Sequence, residues 1–140
     1  SLSYNDNGLT VLLGAVWLQP RVERVVAEPG GTGDVPLGPV PLTFTVNLDY
    51  APPQWGPWGA SLQWNRLSSR VATTDNAVHL PTLDTVAAGI RYHWTMRAKP
   101  WNLRLDAFNL TDSRGLHVSD LEVVLPEQGR RIMLTLATDQ

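Results

Sequence analysis

The sequence predicts an all-β chain: an antiparallel up-and-down meander of about six to eight strands, a barrel or barrel fragment, in a single domain over residues 1–140. Three observations predict it. Apolar and polar residues alternate with period two over runs of about ten residues, as in strands that divide two unlike environments. The connections between these runs alternate between short and long. Aromatic residues scattered through the sequence gather beside the short connections.

The elements follow in chain order. Ser1–Tyr4 reads as the end of a strand turned by Asn5-Asp6-Asn7-Gly8, a hairpin signal. A long strand is expected over Leu9–Val26, with Leu9, Val11, Leu13, Ala15 and Trp17 on its apolar side. Leu42–Ala51 sets Leu42, Phe44, Val46, Leu48 and Tyr50 against Thr43, Thr45, Asn47 and Asp49. Trp58–Val71 opens with Trp58, Ala60, Leu62 and Trp64 against Gly59, Ser61, Gln63 and Asn65. Asp84–Arg97 places Val86, Ala88, Ile90, Tyr92, Trp94 and Met96 opposite Arg91, His93 and Thr95. After a turn at Ala98–Pro100, Trp101–Thr111 sets Trp101, Leu103, Leu105 and Ala107 against Asn102, Arg104 and Asp106. Arg130–Thr138 is the last strand. Counting Leu121–Leu125 and the extended Ser1–Tyr4 as strands makes eight available, about the smallest number that closes a barrel.

Composition excludes several functions. The net charge of -2 gives no reason to expect nucleic acid or an anionic surface as partner. With no cysteine, disulfides, thiolate metal sites and cysteine catalysis are absent. No run of 18 apolar residues exists, so no spanning helix is expected, but ten-residue strands suit a bilayer as well. The short turns at Asn5–Gly8, Pro52–Pro57 and Ala98–Pro100 alternate with long connections at Ala27–Pro41, Ala72–Leu83 and Asp112–Gly129, the asymmetry of outer-membrane barrels. Tyr4, Tyr50, Trp55, Trp58, Trp94 and Trp101 would form one interfacial girdle at the short-turn end, with Trp17 nearer the opposite rim. A soluble sandwich or small closed barrel, acting as a binding or structural module, would write the same alternation with its apolar face inward and its tryptophans mid-strand. Only Trp64 is placed that way.

Catalytic and metal signals are weak. Gly30-Gly31-Thr32-Gly33 lacks the Lys-Ser/Thr of a phosphate loop. His79, His93 and His117 are too dispersed for a metal site, and Ser68, Ser69 and Ser119 lack a nucleophile-elbow context. The expectation is a non-enzymatic chain with no cofactor. Asn109-Leu110-Thr111 matches a glycosylation sequon but also closes a strand.

The run LRLDAFNLTDSRG at 103–115, a loop, and GRRIMLTLATD at 129–139 resemble the C-terminal end of the TonB-dependent siderophore receptors. LPTLDTVAAGIRYHW (80–94) and GLTVLLGAVWLQPRV (8–22) resemble earlier strands of that family, in the same order. The resemblance covers nearly the whole chain. It implies a segment of a 22-strand bacterial outer-membrane barrel that imports ferric siderophores with energy from TonB. No plug domain or TonB-contacting box is found in these 140 residues, and the chain closes on Thr138-Asp139-Gln140 where the family closes on an aromatic. The segment is therefore expected not to transport alone. In this reading Arg91, His93, Asn102, Arg104 and Asp106 face the lumen, while Arg70, His79, Arg114 and His117 in the long loops meet an anionic ferric chelate. Lipid or detergent would cover the outside, and an open edge strand would offer a route to homo-oligomers.

Overall fold

The computed structural model describes residues 1–19, 21, 39–72, 77–118, 124–126 and 129–138. Its strands are β1 (Leu2–Asp6), β2 (Leu9–Trp17), β3 (Leu42–Tyr50), β4 (Trp58–Leu67), β5 (Arg70–Val71), β6 (His79–Leu80), β7 (Leu83–Met96), β8 (Lys99–Phe108), β9 (Leu116–Val118), β10 (Val124–Pro126) and β11 (Arg131–Thr138). One seven-stranded antiparallel sheet runs β1-β2-β3-β4-β7-β8-β11, and β5-β6 and β9-β10 form separate two-stranded sheets. The all-β meander is as the alternation predicts. The main sheet is open: β1 and β11 each have a neighbour on one side only.

Several boundaries differ from expectation. The first long strand ends at Trp17, and its expected continuation through Val26 lies outside the described residues apart from Leu18, Gln19 and Arg21. Trp58–Val71 divides at Ser68, whose N–H donates to Leu42 O at 2.9 Å while its hydroxyl accepts from Leu42 N at 3.0 Å, so the chain leaves the sheet there. Val124–Pro126 pairs with β9 rather than supplying an eighth strand to the main sheet. Gly30–Gly33, Ser119 and Leu121–Val123 lie outside the described residues. The turn expected at Ala98–Pro100 is instead the pair Arg97-Ala98, with φ of 52° and 60°, and Pro100 sits within β8 opposite Thr95. Both turn residues thus take the left-handed conformation of a tight two-residue hairpin without a glycine.

The register separates the faces cleanly. Directly opposed residues share a face. The ladder Leu48↔Leu62, Leu62↔Ala88, Ile90↔Leu105 and Leu105↔Leu134 runs across one side of the sheet. The ladder Thr10↔Asp49, Asp49↔Ser61, Ser61↔Gly89 and Gly89↔Asp106 runs across the other. The apolar side is uncovered. Leu62, Ile90, Leu105, Leu134 and Leu136 stand between 42 and 66% exposed, whereas Val71, Leu80 and Leu83 are the apolar core among the described residues. A soluble sandwich would put its second sheet over that face; the other sheets here are the two short hairpins.

Rings mark the short-turn end. Trp58 and Tyr92 lie 4.6 Å apart by ring centroids, Tyr92 and Trp94 5.6 Å, Trp94 and Trp101 6.0 Å, and Tyr50 meets Trp55 edge-on at 4.9 Å. Of the rings expected in a girdle, Trp58, Trp94 and Trp101 form one run that gains Tyr92, and Tyr50 and Trp55 form a separate pair. Trp64, the one tryptophan placed mid-strand as a soluble sandwich would have it, lies on the apolar face as the alternation predicts, edge-on to Phe44 at 5.5 Å, and its indole N–H donates to Asp84 at 3.1 Å. Arg66 approaches the same carboxylate at 3.8 Å. Trp64 therefore marks the polar rim at the other end. Ten residue steps of β7 separate Asp84 from Trp94, about 33 Å along a strand, which a barrel tilt of ~40° would turn into about 25 Å vertically, the height of an outer-membrane apolar band.

Candidate functional site

The polar face carries the candidate site, a hollow of about 310 Å³ whose walls include Thr10, Asn47, Asp49, Ser61, Arg104 and Asp106. Strand pairing brings these residues together from β2, β3, β4 and β8. Alternation alone gives each strand its polar side, but the neighbours across the sheet come from the register.

Two ion pairs organise the hollow, and each depends on a glycine. Arg91 on β7 extends over β4 to Asp49 on β3, its Nη2 donating to Oδ1 at 2.6 Å and its Nη1 to Oδ2. It passes directly over its register partner Gly59, where a Cβ would stand 2.6 Å from Arg91 Nε and 2.8 Å from Cζ. Arg104 Nε donates to both oxygens of Asp106, at 2.9 and 2.7 Å, two residues along the same strand. Asp106 is buried at 6% exposure, lying over Gly89, where a Cβ would collide with its carboxylate and lie 2.8 Å from Ser61 Oγ. The fork of Arg suits such two-oxygen contacts.

Asp106 thus takes Arg104 from its own strand, and Arg91 takes Asp49, which sequence reading leaves among the ordinary polar positions of its strand. Gly59 and Gly89 likewise read from sequence as mere members of the polar alternation. His93 stands opposite Asn102 at the short-turn end of this face, with its backbone N–H donating to Pro57 O at 3.0 Å. Above the charged hollow lies a smaller one of about 150 Å³ lined by Gln63, Asn65, Asn109 and Arg131, whose guanidinium carbon sits 4.6 Å over the Phe108 ring.

The four long-connection residues occupy two regions. Arg70 and His79 lie on the β5-β6 hairpin, facing Leu80 and Val71 respectively. Arg70 is buried, 3% exposed, unlike the exposed loop cation expected there, in a hairpin that also carries the buried Val71 and Leu80. His79 is exposed. Arg114 is exposed and lies 3.7 Å from Asp112, and His117 is on β9 opposite Leu125.

The Asn-Leu-Thr-Asp motif closes β8. Asn109, at φ 50° and 7% exposed, donates to Ser113 O at 3.0 Å and accepts from Ser113 N at 3.0 Å and from Thr111 Oγ1 at 3.2 Å. The hydroxyl of Ser113 donates to Asp84 O at the start of β7, and that of Thr111 lies within hydrogen-bond distance of the same oxygen at 3.1 Å. The motif is a knot that ties the two central strands at their long-connection end, and the burial of Asn109 fits that role rather than a glycan acceptor.

No helix among the described residues is long and apolar enough to cross a membrane, a statement that does not bear on strands. Among those residues no cluster of His, Asp or Glu could hold a metal.

No family model matches the chain, and no curated protein matches it in sequence. Among solved structures it is similar to BauA, the ferric preacinetobactin receptor from Acinetobacter baumannii, with a TM-score of 0.79 and 17% identity. The match covers 95% of this chain and 20% of that receptor. At that identity the likeness is one of fold.

Proposed function

We propose that the chain is a wall segment of an outer-membrane receptor-type β-barrel, non-enzymatic, serving ferric siderophore uptake and not transport-competent alone. One observation carries this reading: the apolar face of the main sheet is the exposed one, and charged residues are paired in a hollow on the other. In water that arrangement leaves the apolar face exposed at a cost; against lipid outside and a polar interior neither face is costly. The fold likeness to a ferric siderophore receptor supports the same class. Siderophore and TonB enter as partners through that likeness and the motif resemblance. Arg91, His93, Asn102, Arg104 and Asp106 then line the interior, and His79, Arg114 and His117 sit on the side where ligand is captured; Arg70 supports its hairpin from within.

Refolding the chain into phospholipid vesicles tests the reading. Heat-modifiable gel migration, and tryptophan quenching by lipids brominated on their acyl chains, are the expected results. A chain that stays monodisperse in detergent-free buffer with blue-shifted tryptophan emission has its apolar face inward, and the reading is then wrong.

A further inference from the structure

A pit of about 410 Å³ opens on the apolar face just inside the aromatic belt, lined by Trp55, Trp58, Gly59, Ala60 and Ile90. Its floor is low because Ala60 stands between two large neighbours, Tyr50 on β3 and Ile90 on β7, in the same row of the sheet. Trp58 walls it on the short-turn side, and Trp55, edge-on to Tyr50, walls it laterally. Away from the belt the next row is Leu48, Leu62 and Ala88, so the apolar surface continues toward the middle of the sheet. Beyond the belt on the other side, the β7-β8 turn carries two exposed cations, Arg97 and Lys99; Lys99 lies two residues from Trp101 on the same face.

We propose that this pit is a specific phospholipid site, seating one acyl chain of an anionic phospholipid whose phosphate lies toward Lys99 and Arg97; the proposal rests on the membrane reading above. A flat apolar wall offers a lipid chain contact on one side only. A pit with two indole walls surrounds it and gains dispersion contact along its length. The order along the strands is that of a lipid: cations at the turn, amphipathic rings at the glycerol level, then a pit that opens onto the apolar mid-sheet. Each cation near an anionic headgroup favours it by about fivefold.

The test uses the full chain refolded into vesicles of phosphatidylglycerol and phosphatidylcholine, released into detergent and weighed by native mass spectrometry. One retained phosphatidylglycerol per chain is expected. Ala60→Leu, which fills the pit from its floor, should abolish retention while heat-modifiable migration persists, and Lys99→Glu should cut the preference for phosphatidylglycerol by at least about fivefold. A folded chain that retains no lipid, or an Ala60→Leu variant that retains it equally, overturns the lipid site and leaves the barrel reading standing. A chain that never inserts overturns both.

Discussion

Arg91 holds Asp49 across an intervening strand, and its guanidinium crosses that strand over Gly59. The pair exists because that position has no side chain. Gly59→Ala puts a methyl group where Arg91 Nε and Cζ now lie, and Gly59→Val adds more. Both partners are partly exposed, so their coupling is about 1 kcal/mol or less. A double-mutant cycle of Arg91→Ala and Asp49→Ala in urea unfolding from detergent should recover that coupling in the parent, and none in the Gly59→Val background. Equal coupling in both backgrounds would show that the glycine is not what permits the pair.

The knot around Asn109 makes a larger prediction. Asn109→Ala loses the side-chain bonds to Ser113 and Thr111 and leaves a β-carbon residue at φ 50°, costing about 2–4 kcal/mol. Asn109→Gly accepts the backbone angle but still loses the bonds, and should cost less than Asn109→Ala. Midpoints of urea unfolding followed by tryptophan emission would rank the three. Equal midpoints for parent and Asn109→Ala would remove the knot from the stability of the fold.

At the other end of the same hairpin, Arg97-Ala98 adopts left-handed angles that asparagine and glycine take more readily. Replacing the pair by Asn-Gly should therefore stabilise the chain by about 1 kcal/mol. A lower unfolding midpoint in the double variant would contradict the turn geometry.

Facing is tested by arginine substitutions on adjacent positions of β4. Leu62→Arg on the apolar face near mid-sheet should cost about 2–4 kcal/mol in lipid, and Gln63→Arg on the polar face far less. The reverse order in vesicle-refolding yields would place the polar side against the bilayer.

Much of this fold is legible in the sequence because a strand that separates two environments must alternate, and β3, β4, β7 and β8 do so almost without error. Asn7-Gly8 announces its turn by residue type; Arg97-Ala98 does not, and the visible proline at 100 attracts the turn two residues too late. The site is less legible for a different reason. Asp49 and Arg91 are 42 residues apart in sequence, and their meeting depends on the register of two strand pairs together with a missing side chain between them. Alternation assigns a residue to a face, but not to a height or a row. For the same reason Trp64 reads as mid-strand until its N–H is found on Asp84 at the rim.

β4 and β7 are neighbours in the ladder although β5 and β6 lie between them in the chain, and β8 and β11 likewise enclose β9 and β10. Everything inserted at these two points leaves and re-enters the sheet without shifting a single cross-strand partner. Lengthening such an excursion twofold costs only about 0.6 kcal/mol of closure entropy. The ladder and the excursions can therefore diverge at different rates: substitutions and insertions that change what the long side recognises need no compensating change in the wall.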